Sequence, residues 1–154
     1  MGEKIIKDVI HANGIDISVY SEDLQNDFIS LTDIAKKREG EYPGYVIQNW
    51  LRNKSTVEFV GLWESIHNSN FNCIEFEAIK NEAGQNGFVL TPKRWVEMTN
   101  AIGIVTKGGR YAATYANKDI AFEFSISKKL HQFQRWKGRR IWHQVLFIMR
   151  LPVN

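Results

Sequence analysis

Asn13-Gly14 separates two runs of β-prone residues, and Gly108-Gly109 separates two more far along the chain. Ile5, Ile6, Val9 and Ile10 precede the first pair; Ile15, Ile17 and Val19 alternate after it. Asn-Gly supplies the positive φ angles of a hairpin turn, so residues 4–10 and 15–20 are predicted as two short paired strands. Residues 102–105 and 111–115 flank Lys107-Gly108-Gly109-Arg110, which predicts a second hairpin with a Gly-Gly tip. The stretch between the hairpins has helical periodicity. The fold class this implies is α+β.

Residues 21–27 are polar and read as a loop. Ser30-Leu31-Thr32-Asp33 opens a helix: Ser30 or Thr32 caps it, and Asp33 suits the first turn. Leu31, Ile34 and Ala35 give its apolar face, and residues 40–44, with Pro43, break it. A second helix is predicted over residues 45–53, with Val46, Trp50 and Leu51 on one face. Ser55-Thr56-Val57-Glu58 has capping-box spacing and restarts a third helix, whose apolar set is Phe59, Val60, Leu62, Trp63 and Ile66. Residues 72–76 read as a short extended segment and residues 82–87 as a turn. Thr91-Pro92 begins a helix with proline at its first position, and Asn117-Lys118-Asp119 leads into a last one through Phe124.

Little here points to chemistry. Cys73 is the single cysteine, so no internal disulfide or Cys-rich zinc cluster can form; beside Ile74 it reads as a small buried hydrophobe. His11, His67, His131 and His143 lack zinc-ligand spacing with it. Glu75 and Glu77, at i and i+2, would share one face of a strand, but no second catalytic element accompanies them. There is no phosphate loop of the Gly-x-x-x-x-Gly-Lys type. No catalytic or metal-binding residue, cofactor or small-molecule substrate is expected. No apolar stretch approaches ~18 residues and the first residues lack a signal-peptide pattern, which points to the cytoplasm and away from a membrane.

The charge is divided. All 17 acidic residues lie at or before Glu123, whereas seven of the 20 basic ones follow it. An acidic body with a basic terminal segment is one electrostatic footprint for nucleic acid. Helix–break–helix near the N-terminus has the form of a helix-turn-helix, in which one helix braces against the backbone while the next enters the major groove. The exposed face of the second helix offers Gln48, Asn49, Arg52 and Asn53. Gln and Asn pair bidentately with adenine and Arg with guanine. Lys36, Lys37, Arg38 and Lys54 are candidate phosphate contacts, and Lys107 and Arg110 at the hairpin tip would make it a wing. The same residues also read as a solvated helix surface and an ordinary turn.

At these residues the sequence resembles the KilA-N domain family. The matching stretches are Phe28-Ile29-Ser30-Leu31-Thr32-Asp33-Ile34-Ala35, Ile47-Gln48-Asn49-Trp50-Leu51-Arg52, Thr56-Val57-Glu58-Phe59 and Leu62-Trp63-Glu64. Glu75-Phe76, Asn81-Glu82-Ala83-Gly84, Thr91-Pro92-Lys93-Arg94-Trp95, Thr99-Asn100-Ala101-Ile102-Gly103-Ile104, Gly109-Arg110-Tyr111, Thr114-Tyr115-Ala116 and Asp119-Ile120-Ala121-Phe122-Glu123-Phe124 follow in order. The resemblance covers residues 28–124. It implies a DNA-binding module of bacteria, phages and large DNA viruses, related to the fungal APSES domain, with a winged-helix-like core.

Two departures stand out. Ala112-Ala113 occupies positions where the family usually has Gly-Gly, which is costly wherever φ is positive. Beyond Glu123 the acids stop, as a shifted reading frame would produce; alternatively Trp136, Lys137, Arg139, Arg140 and Trp142 form an aromatic–basic patch that touches DNA, or the end of the chain is poorly packed. The organisation expected is a domain over residues 1–124 and a basic tail over 125–154. The expected protein is a compact winged helix-turn-helix-like domain with β-hairpins that binds double-stranded DNA without catalysis. It would be a regulator of phage or mobile-element type, possible as a homodimer. The competing expectation is a protein–protein interaction module without DNA binding.

Overall fold

The computed structural model describes residues 6–12, 15–21, 27–36, 42–108 and 112–133. Among these, five strands form one antiparallel sheet in the order β1-β2-β3-β5-β4: β1 Ile6–Ala12, β2 Ile15–Ser21, β3 Asp27–Ser30, β4 Ile104–Lys107 and β5 Ala113–Asn117. The helices are α1 Leu31–Ala35, α2 Pro43–Leu51, α3 Lys54–His67, α4 Cys73–Glu82, α5 Pro92–Thr99 and α6 Lys118–Phe133. The α+β class stands. Both predicted strand pairs form, with Ala12 opposite Ile15 and Lys107 opposite Ala113; Asn13, Gly14 and Gly109 lie outside the described residues.

β3 was hidden between the expected loop and the expected helix. Its last three residues are buried, so it shows no alternation for a sequence pattern to catch. It stops at Ser30 because Leu31 turns into α1. Continued in register, the strand would have met Ser18 of β2 and Thr114 of β5. Side chains of α1 take over instead. Ser18 N–H donates to Asp33 Oδ2 (2.8 Å) and Thr114 N–H to Thr32 Oγ1 (2.9 Å). Asp33 N–H donates to Ser30 Oγ (3.1 Å), so Ser30 is the cap of the two candidates, Ser30 and Thr32. The short helix thus satisfies sheet donors that would otherwise lack a partner.

The core lies where the helices meet one sheet face, on Ile17, Ile29, Ile104 and Ala116. Trp50 packs edge-on to Phe124 with centroids 5.0 Å apart, and Trp95 meets Phe71 and Phe76. Burying a side chain such as Leu51 or Phe124 stabilises by roughly 1.5–3 kcal/mol. Gly61 of α3 is required by α4: a Cβ there would stand 2.1 Å from the Phe76 ring.

Several local expectations are corrected. Residues 73–76 are helical and Asn72 is their N-cap: Asn72 Oδ1 accepts from Glu75 N–H (3.1 Å), and Phe76 and Ile79 fall on one buried face. On a helix Glu75 and Glu77 point apart, and Glu77 pairs with Lys80. Cys73, at the start of that helix, is exposed rather than buried. Pro43 begins α2 instead of breaking the chain before it. α3 starts at Lys54, with Asn53 as N-cap and no side-chain capping bond; the capping box does not form. Leu62 and Ile66 are exposed, and Val57, Val60, Trp63 and Glu64 face inward. α6 continues past Phe124 to Phe133, and Asn117 caps it by accepting from Asp119 N–H (3.1 Å). Among the described residues, Asn100 is the one non-glycine with positive φ. Ala113 lies in β5, in extended backbone, so the loss of glycine at that position carries no strain.

Candidate nucleic-acid interface

α2 has a clear inner and outer side. Val46, Ile47, Trp50 and Leu51 are buried. At 100° per residue, Gln48, Asn49 and Arg52 project from the opposite side. Gln48 is half-buried; Asn49, Arg52, Asn53 and Lys54 are exposed. Asn53 is turned back on its own helix, its Nδ2 donating to the carbonyls of Asn49 (3.2 Å) and Trp50 (3.3 Å). Only Arg52 and Asn53 separate α2 from α3. Lys54 therefore stands beside the ridge, at the electropositive start of a long helix.

The cations are less uniform than the sequence implied. Lys36 is exposed and its Nζ lies 3.5 Å from Asp33 Oδ1. Lys107 Nζ sits 4.0 Å from the Tyr20 ring centroid and 5.4 Å from that of Tyr115. It is half-buried on the sheet. Burial, with the Asp33 carboxylate adding to it, pushes the Tyr115 phenol above its usual range. Lys37, Arg38 and Arg110 lie outside the described residues, as do Trp136, Lys137, Arg139, Arg140 and Trp142.

Two supporting features escaped sequence reasoning. Gly84 N–H donates to Arg52 O (3.1 Å), which seats the 84–87 turn against the α2–α3 corner. Gly84 and Gly87 both hold φ at +82°, the left-handed region that favours glycine. The second is Glu64, wholly buried on α3. Its Oε1 accepts from Ile102 N–H (2.8 Å) and Asn68 Nδ2 (3.0 Å), and its Oε2 from Gly103 N–H (2.7 Å). Asn68 Nδ2 also donates to Asn100 O (2.8 Å). A Cβ at Gly103 would lie 2.6 Å from Ile120 and 2.7 Å from Trp63. The root of the β4–β5 hairpin is thereby locked to α3 and α6. A buried glutamate has no signal in hydrophobic periodicity except as an exception to it.

The family model of the KilA-N domain matches residues 10–130, most of the chain. The chain belongs to the KilA-N domain family. This is a family of DNA-binding domains, and the match extends the resemblance over residues 28–124 at both ends. No curated protein and no solved structure matches the chain significantly. Two stretches that carry the KilA-N resemblance, Leu62-Trp63-Glu64 and residues 99–104, meet at the hairpin root. Their part in this KilA-N domain is to hold the hairpin in place. Among the described residues no group of histidine, cysteine and carboxylate side chains could hold a metal ion, and no helix is long and apolar enough to cross a membrane.

Proposed function

We propose that the protein is a cytoplasmic regulator of phage or mobile-element type that binds duplex DNA without catalysis. In this reading α1 and α2 act as the helix-turn-helix pair and α2 enters the major groove. Gln48, Asn49 and Arg52 read base edges; Asn53 serves as a contact only by giving up its bonds to α2. Lys36, Lys37, Arg38 and Lys54 hold phosphates, and the β4–β5 hairpin is a wing carrying Lys107 and Arg110. The observation that carries the proposal is the outward ridge of α2, two amides and a guanidinium on a helix anchored by four buried residues, in a chain of a DNA-binding family.

A gel shift over a salt series tests it. Affinity for duplex should fall linearly with salt on logarithmic axes. Arg52→Ala should weaken specific binding by ~1–3 kcal/mol and relax sequence preference. Lys107→Ala should weaken binding to all sequences alike and reduce the salt slope. Absence of salt-sensitive binding overturns the reading and favours the second one, a protein–protein module. That alternative is supported by Leu62 (60% exposed) and Ile66 (68%) on α3. It is also supported by a half-open groove of about 610 Å³ between α3, α5 and β4, lined by Trp63, His67, Val96, Ile102 and Val105. A homodimer would place two ridges on a palindromic site, which size-exclusion chromatography with and without DNA addresses.

A further inference from the structure

Tyr42 and Tyr45 stand on the DNA-facing side of α2, yet nothing in the fold uses them. Tyr42 is the N-cap residue, but its side chain makes no capping bond. Tyr42 is 76% and Tyr45 63% exposed. Among the described residues their one ring contact is with each other, edge to face, with centroids 6.1 Å apart. The same chain buries Trp50, Trp95 and Phe124 almost completely. Core packing therefore does not account for two large rings left in water.

Position does. Residues 42, 45, 49 and 52 recur at spacings of three and four, which puts them along one side of a helix. Tyr45 precedes Asn49 by one turn, about 6 Å along the axis. Gly44 between the rings is exposed, and a Cβ there would meet nothing within 4 Å. The surface is open to a ligand running past it. No acidic residue lies in the first turn of α2, although Glu39 and Glu41 precede Tyr42 in sequence. The first turn of α2 carries no cation either. A neutral hydroxyl donor is the group that holds a phosphate oxygen there, and tyrosine is among the side chains that make such backbone contacts.

We propose that Tyr42 and Tyr45 form a phosphate clamp: their hydroxyls donate to backbone oxygens of duplex DNA beside the bases that Asn49 and Arg52 face. The inference rests on the reading of α2 as the DNA-facing helix. The test uses the full chain and a random-sequence duplex, with binding followed by fluorescence anisotropy over a salt series. The double variant Tyr42→Phe/Tyr45→Phe should bind about tenfold more weakly at every salt concentration, since hydrogen bonds to charged groups are the stronger kind. Its salt slope should not change, because no cation is removed. Lys54→Ala should instead lower the slope by about one. If Lys54→Ala lowers the slope and the phenylalanine pair binds like the parent, the clamp is overturned and the DNA reading stands. If only Tyr42→Ala/Tyr45→Ala weakens binding, the rings rather than the hydroxyls make the contact, and the hydroxyl clamp is again overturned. If the parent protein shows no salt-sensitive binding, the reading beneath the proposal fails with it.

Discussion

Glu64 concentrates the structural logic at the residue scale. Its carboxylate is wholly buried and takes backbone N–H groups from Ile102 and Gly103 together with the Asn68 amide. Replacing it by leucine leaves the Ile102 and Gly103 N–H groups without their acceptor, each at about 1–3 kcal/mol, while Asn68 Nδ2 keeps its bond to Asn100 O. Glu64→Leu should therefore destabilise by about 3 kcal/mol or more in urea unfolding, whereas Glu64→Gln, which keeps one acceptor oxygen, should cost less. A loss below about 1 kcal/mol for the leucine variant would mean that the hairpin root is held by packing alone. Apolar periodicity gives no hint of this role, because the backbone donors come from 38 and 39 residues away. Cys73 failed in the opposite direction. Its composition class says buried, but its position as the first residue of α4 leaves it in solvent.

At the element scale, the helices with caps and proline at the right place were legible. Thr91-Pro92 opens α5, with Thr91 Oγ1 accepting from Arg94 N–H (3.1 Å), and Ser30 caps α1. The signals that failed were those with an equally good competing use. Ser55-Thr56-Val57-Glu58 has capping-box spacing, but α3 begins earlier, at the two-residue corner after α2. The apolar residues at 72–76 fit a strand until Asn72 caps them as a helix. Where that helix packs on α3, the Phe76 ring lies too close to Gly61 for any side chain there. Gly61→Ala should force Phe76 out of its site and cost roughly 1–3 kcal/mol or more. Adding Phe76→Leu should recover part of that loss, so the two changes should be non-additive in thermal unfolding. Strict additivity would show that α4 does not lean on Gly61.

For the whole molecule, charge and shape come from different parts of the chain. The acidic residues all lie within the first 123 positions, and five basic residues follow Phe133. Under the proposed reading, long-range attraction of DNA to an acidic body would depend on those late cations, and sequence preference on the α2 ridge. Replacing Lys137, Arg139 and Arg140 together by glutamine should weaken binding to random duplex at low salt and leave the ranking of different sequences unchanged, as competition gel shifts would report. A change of ranking would assign those residues to base contact.

The α+β class, both strand pairs, most of the helices and the family were legible in the order of residues alone, because turn chemistry and apolar periodicity are local and the family motifs occur in fixed order. The sequence also identified the side of α2 that faces outward. Tertiary structure alone decided that β3 ends in α1, so that Thr32 and Asp33 take the place of a strand. It alone decided that Glu64 is buried beneath the hairpin, that Lys107 rests on Tyr20, and that Tyr42 and Tyr45 remain in solvent. Each of these depends on partners distant in the chain, and whether a polar group is satisfied, or a ring covered, is fixed by what folding brings against it.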